Sequence, residues 1–459
     1  MSQSTKLPQG VLGAAWAIAL GAIAPMLDST MMNIAIEQLN TAFSTSLSTV
    51  QWAITGYVLA LAIAVPIAGW LMNRFDGKLV FITAVAIFGL TSLIAGFSWN
   101  ITSFIIFRLF QGFSAGIITP LMSTLLVKTA GPDNIGKVIS IVTTPMIFGP
   151  ILGPVLGGFI LEIANWRWLF FINVLILLIA LPLMIRYIPH FAPFNPKARL
   201  DWRGILLLSI SSALLIFGIS KAADHATFFN QETVATVGMG LILLVAYLWH
   251  DHQQHHEVVL PLTLFTHKPF RIASIGLFLA NIAIMGPMLI LPLFFQTFRH
   301  YTAMQAALAL IPQGIGMLLT RPVIGRMIDK IGARYVVLVS LVLALLGSIP
   351  LAFLTPKTSL VLLSVILFIR GASVGGINLP LTTDAYTGLA DTQLPEAGVG
   401  INMIENLGSS FGSALITTVV STNLIPLKGY QAGFAASVVV LILLIIPSLF
   451  LTKKMTTLH

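Results

Sequence analysis

Two ten-residue stretches of the chain resemble each other: GWLMNRFDGK at residues 69–78 and GRMIDKIGAR at residues 325–334. Each follows a long apolar segment, and a proline precedes each by three residues, Pro66 in one case and Pro322 in the other. Two pairs of glycines recur at a similar distance along the chain, which is a weaker sign of the same repeat. Gly112 and Gly116 correspond to Gly371 and Gly375, and Gly149 and Gly153 correspond to Gly408 and Gly412. A pattern repeated in this order predicts a chain built from two related halves.

The composition places these halves in a membrane. Hydrophobic residues make up 57% of the 459 residues and charged residues only 8%. A soluble domain of this length would lack the polar residues to cover its surface. Apolar runs of roughly 18 or more residues, each long enough to cross a bilayer, recur from end to end, and we expect neither a cleavable signal nor a soluble domain. The sequence therefore predicts an all-α membrane protein, and its lack of cysteine excludes disulfides and thiolate metal sites.

About fourteen spans are predicted by the criterion of roughly 20 apolar residues. They lie near residues 11–36, 47–72, 79–97, 101–127, 136–160, 168–186, 204–220, 234–249, 272–296, 304–325, 335–354, 359–382, 398–421 and 430–451. The repeat relates the first six spans to the last six, so spans seven and eight form an extra pair between them. We expect a six-helix bundle at residues 1–186, a linker with two additional helices at 187–271, and a second six-helix bundle at 272–459.

Lysine and arginine are unevenly distributed between the two sides of the predicted spans. Arg108, Arg321 and Arg370 lie inside spans, and most of the remaining bases fall on the connections and tails of one side. The positive-inside rule assigns that side and both termini to the cytoplasm, so we expect a multi-pass protein of the cell membrane. The connection at residues 383–397 is an exception, since it carries three acids and no base. Because the net charge of +9 follows from this topology, nucleic acid is not an expected partner.

The stretch GPILGPVLGG at residues 149–158 combines close packing with easy bending. Glycines at every fourth position form a bare stripe on a helix, which lets a neighbouring helix approach closely. The two prolines each remove a backbone hydrogen bond. The pattern suits a helix that moves against a partner, although a static kink would use the same residues. The residues concerned are Gly149, Pro150, Gly153, Pro154, Gly157 and Gly158.

Several short motifs, taken in order and spacing, resemble those of a known family. LDSTMMNIA at residues 27–35 is similar to its first-helix motif, RLFQG at 108–112 to its fourth-helix motif, and the stretch at 149–158 to the fifth-helix motif of its exporters. Further landmarks are WRWLFFIN at 166–173, DWRG at 201–204 and PL at 261–262. By this resemblance the chain is identified as a member of the major facilitator superfamily, in its fourteen-helix drug:proton antiporter family and the bacterial multidrug-export branch. The resemblance implies the major facilitator fold, with two six-helix bundles plus two extra central helices.

The two repeated loop stretches are predicted to hold the cytoplasmic side shut through weak ionic contacts, each worth about 0–1 kcal/mol when exposed. Two departures from the family pattern affect the first stretch, since Asn73 stands where an aspartate is usual and Asp76 where a glycine is usual. We expect a complete latch only in the second stretch, unless Asp76 supplies the missing carboxylate. Simple topological charge is the alternative. The candidate gating residues are Gly69, Asn73, Arg74, Asp76, Gly325, Asp329, Lys330, Gly332 and Arg334.

Ionisable residues inside the spans need a partner, a water-filled cavity or a function, because a charge in the bilayer is costly. Asp28 and Arg108 lie at similar depths, so we expect them to be neighbours that face a central cavity and couple protons to substrate. Glu405, about two turns from the cytoplasmic end of span thirteen, is a further candidate for proton coupling or substrate binding. The alternatives are a carboxylate that reaches external water for Asp28, a structural ion pair for Arg108, and a hydrogen-bonded cavity residue for Glu405.

Polar amides inside the spans are candidates for lining the cavity, although such groups more often bond between helices. They are Gln51, Gln111, Asn281, Gln296 and Asn378. Arg321 is expected to partner the second loop stretch, and the role of Arg370 is open. The histidines between residues 250 and 256 match no known metal-site spacing, so no metal site is expected.

Together these patterns predict a proton-coupled secondary active exporter of lipophilic or cationic compounds that achieves multidrug efflux by alternating access. No catalytic constellation or nucleotide-binding motif is present, so we expect neither an enzyme nor a cofactor, and the proton gradient would supply the energy. The expected partners are a small-molecule substrate, protons and the lipid bilayer, and the expected functional unit is a monomer. One alternative is a dedicated exporter of a single physiological metabolite, peptide or lipid. The motifs favour a non-transporting membrane sensor less.

Overall fold

A computed structural model describes residues 10–32, 35–45, 47–131, 138, 148–225, 227–253, 258–423 and 425–453 of the chain. Within these ranges, the side chains of a few residues, among them Gln51 and Asp329, lie outside the description. The regular secondary structure elements of the described residues are all helices, joined by turns and irregular segments.

Fourteen long helices, numbered here α1 to α14, follow one another along the described residues. Their bounds are α1 Val11–Met31, α2 Leu47–Arg74, α3 Gly77–Gly96, α4 Ile101–Ala130, α5 Phe148–Ile163, α6 Trp168–Tyr187, α7 Trp202–Asp224, α8 Gln231–Gln253, α9 Lys268–Arg299, α10 Ile311–Ile331, α11 Ala333–Ser348, α12 Leu360–Tyr386, α13 Leu394–Ser421 and α14 Pro426–Ser448. Short helices at Ile36–Ala42, Thr263–Thr266 and Ala303–Ala309 and 3-10 turns at Ile349–Phe353 and Asp391–Gln393 lie between them.

A helix lies at each of the fourteen predicted spans, and the prediction of an all-α membrane protein is confirmed. Twelve spans in the described residues are long and apolar enough to cross a membrane. The other two helices are α5, of which 16 residues are described, and α13, which has 28 residues rich in glycine, serine and threonine. The span predicted to contain α5 begins at residue 136, in a segment of which only Val138 precedes α5 in the description.

Polar residues and glycine in the connections fix several helix ends. Asn100 caps α4 by accepting a hydrogen bond from the backbone N–H of Ser103 at 2.7 Å. Asp76 caps α3 by accepting from two backbone N–H groups. Gly332 adopts φ 84° between α10 and α11, a conformation that glycine reaches without steric cost. The second loop stretch therefore depends on this glycine for its turn.

The glycines of the repeat lie at equivalent helix contacts in the two halves. In the first half, Gly112 of α4 packs directly on the backbone of α2 at Tyr57. In the second half, Gly371 of α12 packs in the same way on α10 at Gln313. A Cβ atom at either glycine would collide with a backbone carbonyl oxygen. These contacts bring helices two and four of each half almost into backbone contact.

A second pair of helix contacts repeats in the same manner. Gly153 of α5 faces Thr30 of α1, and Gly412 of α13 faces the backbone of Ile282 on α9. The first and fifth helices of each half are thus held together by glycines at matching positions. This equivalence supports the internal repeat proposed from the sequence.

The helices of the two halves meet along a seam to which the extra pair is attached. Helices α1–α6 contact one another, as do α9–α14, and α13 also reaches α2 and α4. At this seam Gly69 of α2 packs against Val399 of α13. Helices α7 and α8 form a hairpin, and α7 lies against both α2 and α13. The boundaries predicted at residues 186 and 271 stay a prediction.

Replacing Gly112 by alanine should destabilise the protein, because the new methyl group would force α4 away from α2. Overpacking of this kind costs about 1–3 kcal/mol. Gly238→Ala is the matched control, since a Cβ atom at Gly238 in α8 would meet nothing within 4 Å. Thermal unfolding of the purified variants in detergent measures the difference. Equal unfolding temperatures for the two variants would contradict the close contact.

Candidate functional site

A cavity of about 290 Å³ lies where α1 and α4 of the first half face α9, α10, α12 and α13 of the second. Its wall includes five methionines, Met26, Met122, Met285, Met288 and Met317. Methionine is flexible and polarisable, so its side chain adapts to ligands of different shape. A wall of this kind is typical of surfaces that bind many apolar partners.

Polar groups are spread over the rest of the same cavity. They belong to Thr119, Ser123, Gln313, Asn378, Thr382, Tyr386 and Asn402. Among the predicted cavity amides, the structure places Asn378 here. These groups can fix the orientation of a ligand that the apolar wall holds.

Two ionisable side chains of opposite charge line the cavity, Glu405 of α13 and Arg321 of α10. The Glu405 carboxyl group lies beside Thr382 and Tyr386 and is half-buried because it faces the open space. A carboxyl group in the wall of a membrane-embedded cavity can hold a proton or a cationic ligand. The structure therefore places Glu405 where a ligand could reach it.

A second ionisable cluster is enclosed inside the first half. Arg108 of α4 donates a hydrogen bond to the carboxylate of Asp28 on α1, and the two side chains are only 1% and 3% exposed. Asn173 of α6 donates to the other carboxylate oxygen at 2.9 Å, and Gln111 accepts from Arg108 at 3.1 Å. The guanidinium also lies over the Tyr57 ring, 4.3 Å from its centroid, in a cation–π contact. The two charges are thus paired inside a polar network.

The structure brings Asp28 and Arg108 together, but the expectation that they face the central cavity does not hold, because neither lines it. The tight packing of α2 on α4 encloses the arginine among helices of its own half. Gln111, a predicted cavity amide, belongs to this cluster and donates to Ser92 Oγ at 2.6 Å. Sequence reasoning missed Asn173 as a partner, although it is the last residue of the WRWLFFIN landmark.

The second half also encloses an arginine, but its partners are neutral. Arg370 of α12, at the repeat position of Gln111, is 2% exposed. It donates to the Gln313 side chain at 2.9 Å and to the carbonyl of Ile284 at 3.4 Å. In the described part of the chain it forms no ion pair, and Gln313 in turn lines the central cavity. The two halves therefore repeat their packing without repeating their charges.

Two of the remaining predicted cavity amides lie elsewhere. Asn281 donates to the carbonyl of Leu277 at 2.8 Å and accepts from Ser409 at 3.3 Å, so it bonds within α9 and to α13. Gln296 is exposed and donates to the backbone of its own helix. Asn281 thus follows the alternative given for these amides, a bond between helices, because the direction in which a side chain points decides its partners. The side chain of Gln51 lies outside the described residues.

The first loop stretch connects the two halves through an amide. Asn73 donates from its side chain to the Glu396 carboxylate at the start of α13, at 2.7 Å. Asp76 caps α3 and contacts His190 at 2.8 Å, so it does not supply a carboxylate in place of Asn73. Burial would raise the pKa of Asp76, but the hydrogen bonds from His190 and from the backbone hold that pKa below its ordinary value. Arg74 donates to a backbone carbonyl in the segment after α6.

The second loop stretch contacts the segment that follows α14. The backbone N–H of Arg334 donates to the carbonyl of Thr452 at 3.1 Å. Gly325 is buried and Lys330 is exposed. The side chain of Asp329 lies outside the described residues, so the latch assigned to this stretch stays a prediction.

The glycine stripe of the stretch at 149–158 lies on α5, opposite α1. Gly157 packs at Met31, and Gly153 at Thr30 as described above. Gly158 lies toward Met304. Gly149, Pro150 and Pro154 belong to the same stretch, but their side-chain environment lies outside the description.

The histidines between residues 250 and 256 begin in the last turn of α8, not in a loop, since His250 and His252 belong to this helix. His250 lies 2.9 Å from the Asp201 carboxylate, whereas His255 and His256 are outside the described residues. Among the residues that were described, no group of three potential metal ligands was found.

Comparison with known proteins places the chain among membrane transporters. The family model of the Major Facilitator Superfamily matches residues 18–413. A multidrug resistance protein B homolog of Mycobacterium tuberculosis is 32% identical over 92% of this chain and 78% of its own length. The multidrug export protein EmrB of Escherichia coli is 30% identical over 88% of this chain and 79% of its own length.

Solved structures agree in fold at low sequence identity. The human organic anion transporter MFSD10 superposes with a TM-score of 0.67 at 15% identity, over 98% of this chain and 100% of its own. The proton:xylose symporter XylE does so with a TM-score of 0.67 at 15% identity, over 95% of each chain. At these identities the likeness concerns the fold alone.

Removing one charge of the buried pair should cost far more stability than removing one of an exposed pair. Asp28→Asn leaves the Arg108 guanidinium without its opposite charge, and breaking a buried pair in this way costs about 3–5 kcal/mol. The matched control is Asp224→Asn, which removes an exposed partner 3.4 Å from Lys221 and should cost about 0–1 kcal/mol. Unfolding in detergent measures both variants. If Asp28→Asn lowers the free energy of unfolding no more than the control does, the buried Arg108 does not need the Asp28 carboxylate for stability.

Proposed function

The chain belongs to the Major Facilitator Superfamily, and from this membership we propose that it exports lipophilic, often cationic compounds in exchange for protons by alternating access. The relatives described above, named as multidrug resistance and export proteins, support this direction and substrate class. The observation that carries the proposal is the cavity between the two halves, where a methionine-rich wall meets the carboxyl group of Glu405.

The methionine wall would bind the apolar part of the compound, and Glu405 would couple its release to a proton. The apolar wall would hold the body of a lipophilic compound with little demand on its shape. The ionised carboxylate would hold its positive charge, and protonation would abolish that attraction. A proton that enters from outside would therefore release the compound there, and loss of the proton to the cytoplasm would restore the binding site.

The Asp28–Arg108 pair would contribute differently, because it is enclosed away from the cavity. The network joins side chains from α1, α4 and α6. A proton on Asp28 would weaken its attraction for Arg108 and loosen the contact between these helices. In this way the pair could respond to protons without touching the compound.

Alternating access requires a contact between the halves that breaks and re-forms. The hydrogen bond from Asn73 to Glu396 joins α2 to α13 on the side that the positive-inside rule assigns to the cytoplasm. A hydrogen bond to a charged group is worth about 1.5–3 kcal/mol when it is well formed. This amide would therefore take over the role of the absent aspartate and hold the cytoplasmic side closed.

Glu405→Gln should abolish the coupling of transport to a proton gradient, since an amide cannot bind and release the proton. We expect the uptake of a fluorescent cationic dye into acid-interior, inside-out vesicles to fall by about 100-fold, within the 10²–10⁴ range for loss of a proton-transferring group. Glu162→Gln is the matched control, because Glu162 is exposed on α5 outside the cavity. The same vesicles tested with a panel of unrelated compounds distinguish multidrug export from export of one physiological compound. If dye uptake survives both Glu405→Gln and Asp28→Asn, the assigned coupling residues are wrong.

Asn73→Asp should open the cytoplasmic side, because it would bring a second negative charge to the Glu396 carboxylate. The chain has no cysteine, so Ser123→Cys in the central cavity provides a single reporter thiol. We expect a membrane-impermeant maleimide on the cytoplasmic side to label this thiol faster when Asn73→Asp is added. Adding Glu396→Gln should restore slow labelling, since it removes the repulsion. Labelling that Asn73→Asp leaves unchanged would mean that this contact does not close the cavity.

A further inference from the structure

A second cavity, of about 330 Å³, lies apart from the central one, against the extra helix α7. Its walls come from α2, α7 and α13, with Leu289 of α9 at one side. Apolar side chains such as Val58 and Phe217 form part of the wall, and none of the described residues that line it is charged. The volume falls in the range of about 300–1,000 Å³ that is usual for small-molecule sites.

The polar groups of this cavity are hydroxyl groups. They belong to Thr55, Ser220, Ser409, Ser410, Ser413 and Thr417. Serine and threonine in a helix often bond back to a carbonyl one turn earlier, as Thr119 and Ser123 of α4 do. Of the six, only Ser409 forms a side-chain hydrogen bond in the described part of the chain, to Asn281. The other five therefore have hydrogen-bonding capacity that a ligand could use.

The internal repeat shows that two of these hydroxyl groups replace prolines of the other half. The glycine pair Gly408 and Gly412 of α13 corresponds to Gly149 and Gly153, so Ser409 and Ser413 correspond to Pro150 and Pro154. The glycines keep the helix contact, as Gly412 packs on α9. The residues beside them supply hydroxyl groups to the second cavity.

We propose that the hydroxyl-lined cavity between α2, α7 and α13 binds an uncharged amphiphile through oxygen atoms such as those of an ester or an alcohol. Among the lining residues that the structure describes, a cation would find no carboxylate, in contrast to the central cavity, and an anion would find no base. Hydroxyl groups both donate and accept hydrogen bonds, so they match ester and alcohol oxygens without an ion pair. The apolar wall buries the rest of the molecule. Such an amphiphile can come from the bilayer or from the exported compounds.

Single thiols locate the binding, since the chain contains no cysteine. Ser410→Cys reports on the second cavity, and Ser123→Cys reports on the central one as the matched control. Both variants are purified in detergent and labelled with N-ethylmaleimide in the presence or absence of monoolein, an uncharged glycerol ester. At ten times its Kd, monoolein should slow labelling of S410C about tenfold and leave that of S123C unchanged. Slowing of both thiols equally, or of neither, would overturn the proposal.

Removal of hydroxyl groups tests the recognition itself. Ser413→Ala with Thr417→Val preserves the shape of the cavity, and the double variant should weaken monoolein binding by about tenfold. Thr422→Val is the control, because Thr422 is exposed directly after the end of α13 and donates to the carbonyl of Thr418 at 3.0 Å. Unfolding temperatures verify that each variant is folded. Unchanged binding by the folded double variant would contradict the role of the hydroxyl groups.

A second probe distinguishes the two sources of the ligand. Nile red, an uncharged lipophilic dye, is tested for the same protection of S410C. Protection by both probes would assign the cavity to uncharged compounds of the exported class, whereas protection by monoolein alone would assign it to bilayer lipid. These measurements use no proton gradient, and Glu405→Gln should leave them unchanged. A failure of this proposal is thus distinct from a failure of the proposed export.

Discussion

The first half of the protein must supply partners for a buried positive charge, the guanidinium of Arg108. A charge enclosed in a membrane protein is tolerated only with an opposite charge or several hydrogen-bond partners. Two partners of Arg108 come from other helices, Asp28 from α1 and the carbonyl of Ala53 from α2. Asn173 of α6 joins the network by donating to the other carboxylate oxygen of Asp28. Because this network joins four helices, the first half is expected to move as one body. The close contact at Gly112 holds α4 against α2, where Arg108 also donates to the carbonyl of Ala53 and lies over the Tyr57 ring.

In the second half, the partners of the buried arginine are neutral groups, and a carboxyl group lies in the wall of the cavity. Arg370 is satisfied by Gln313 and a backbone carbonyl, while Glu405 faces the space between the halves. Symmetrical glycine contacts therefore support an unsymmetrical distribution of charge. Exchange of a compound for a proton needs this difference between the halves. The buried charges must keep their partners so that each half stays rigid, while one carboxyl group in the cavity wall gains and loses its charge.

The sequence was sufficient to predict the helices and the depth of a residue along its helix. It was not sufficient to predict the direction in which a side chain points from the helix axis. Composition was enough for the membrane helices, and helical rise was enough to bring Asp28 near Arg108. Depth does not give direction, so the expectation that this pair faces the cavity was wrong. Asn281 and Gln296 were grouped with Asn378 as polar amides inside spans, and only the direction of each side chain separates them. Asp76 could have been recognised as a helix cap, since it directly precedes the apolar run of α3. The bond from Asn73 to Glu396 joins residues 323 positions apart, which no local pattern reveals.

The position of α7 constrains how the halves can move. Ser209 of α7 donates to the carbonyl of Ile63 on α2 at 2.8 Å, whereas Thr418 of α13 donates to the carbonyl of Ala222 on α7 at 3.4 Å. A rocking motion that separates α2 from α13 must give up one of these contacts. The longer bond is the weaker one, so α7 and α8 would travel with the first half and slide against α13. The wall of the second cavity formed by α13 would then move relative to the walls formed by α2 and α7, and any ligand bound there would favour one position of the halves over the other.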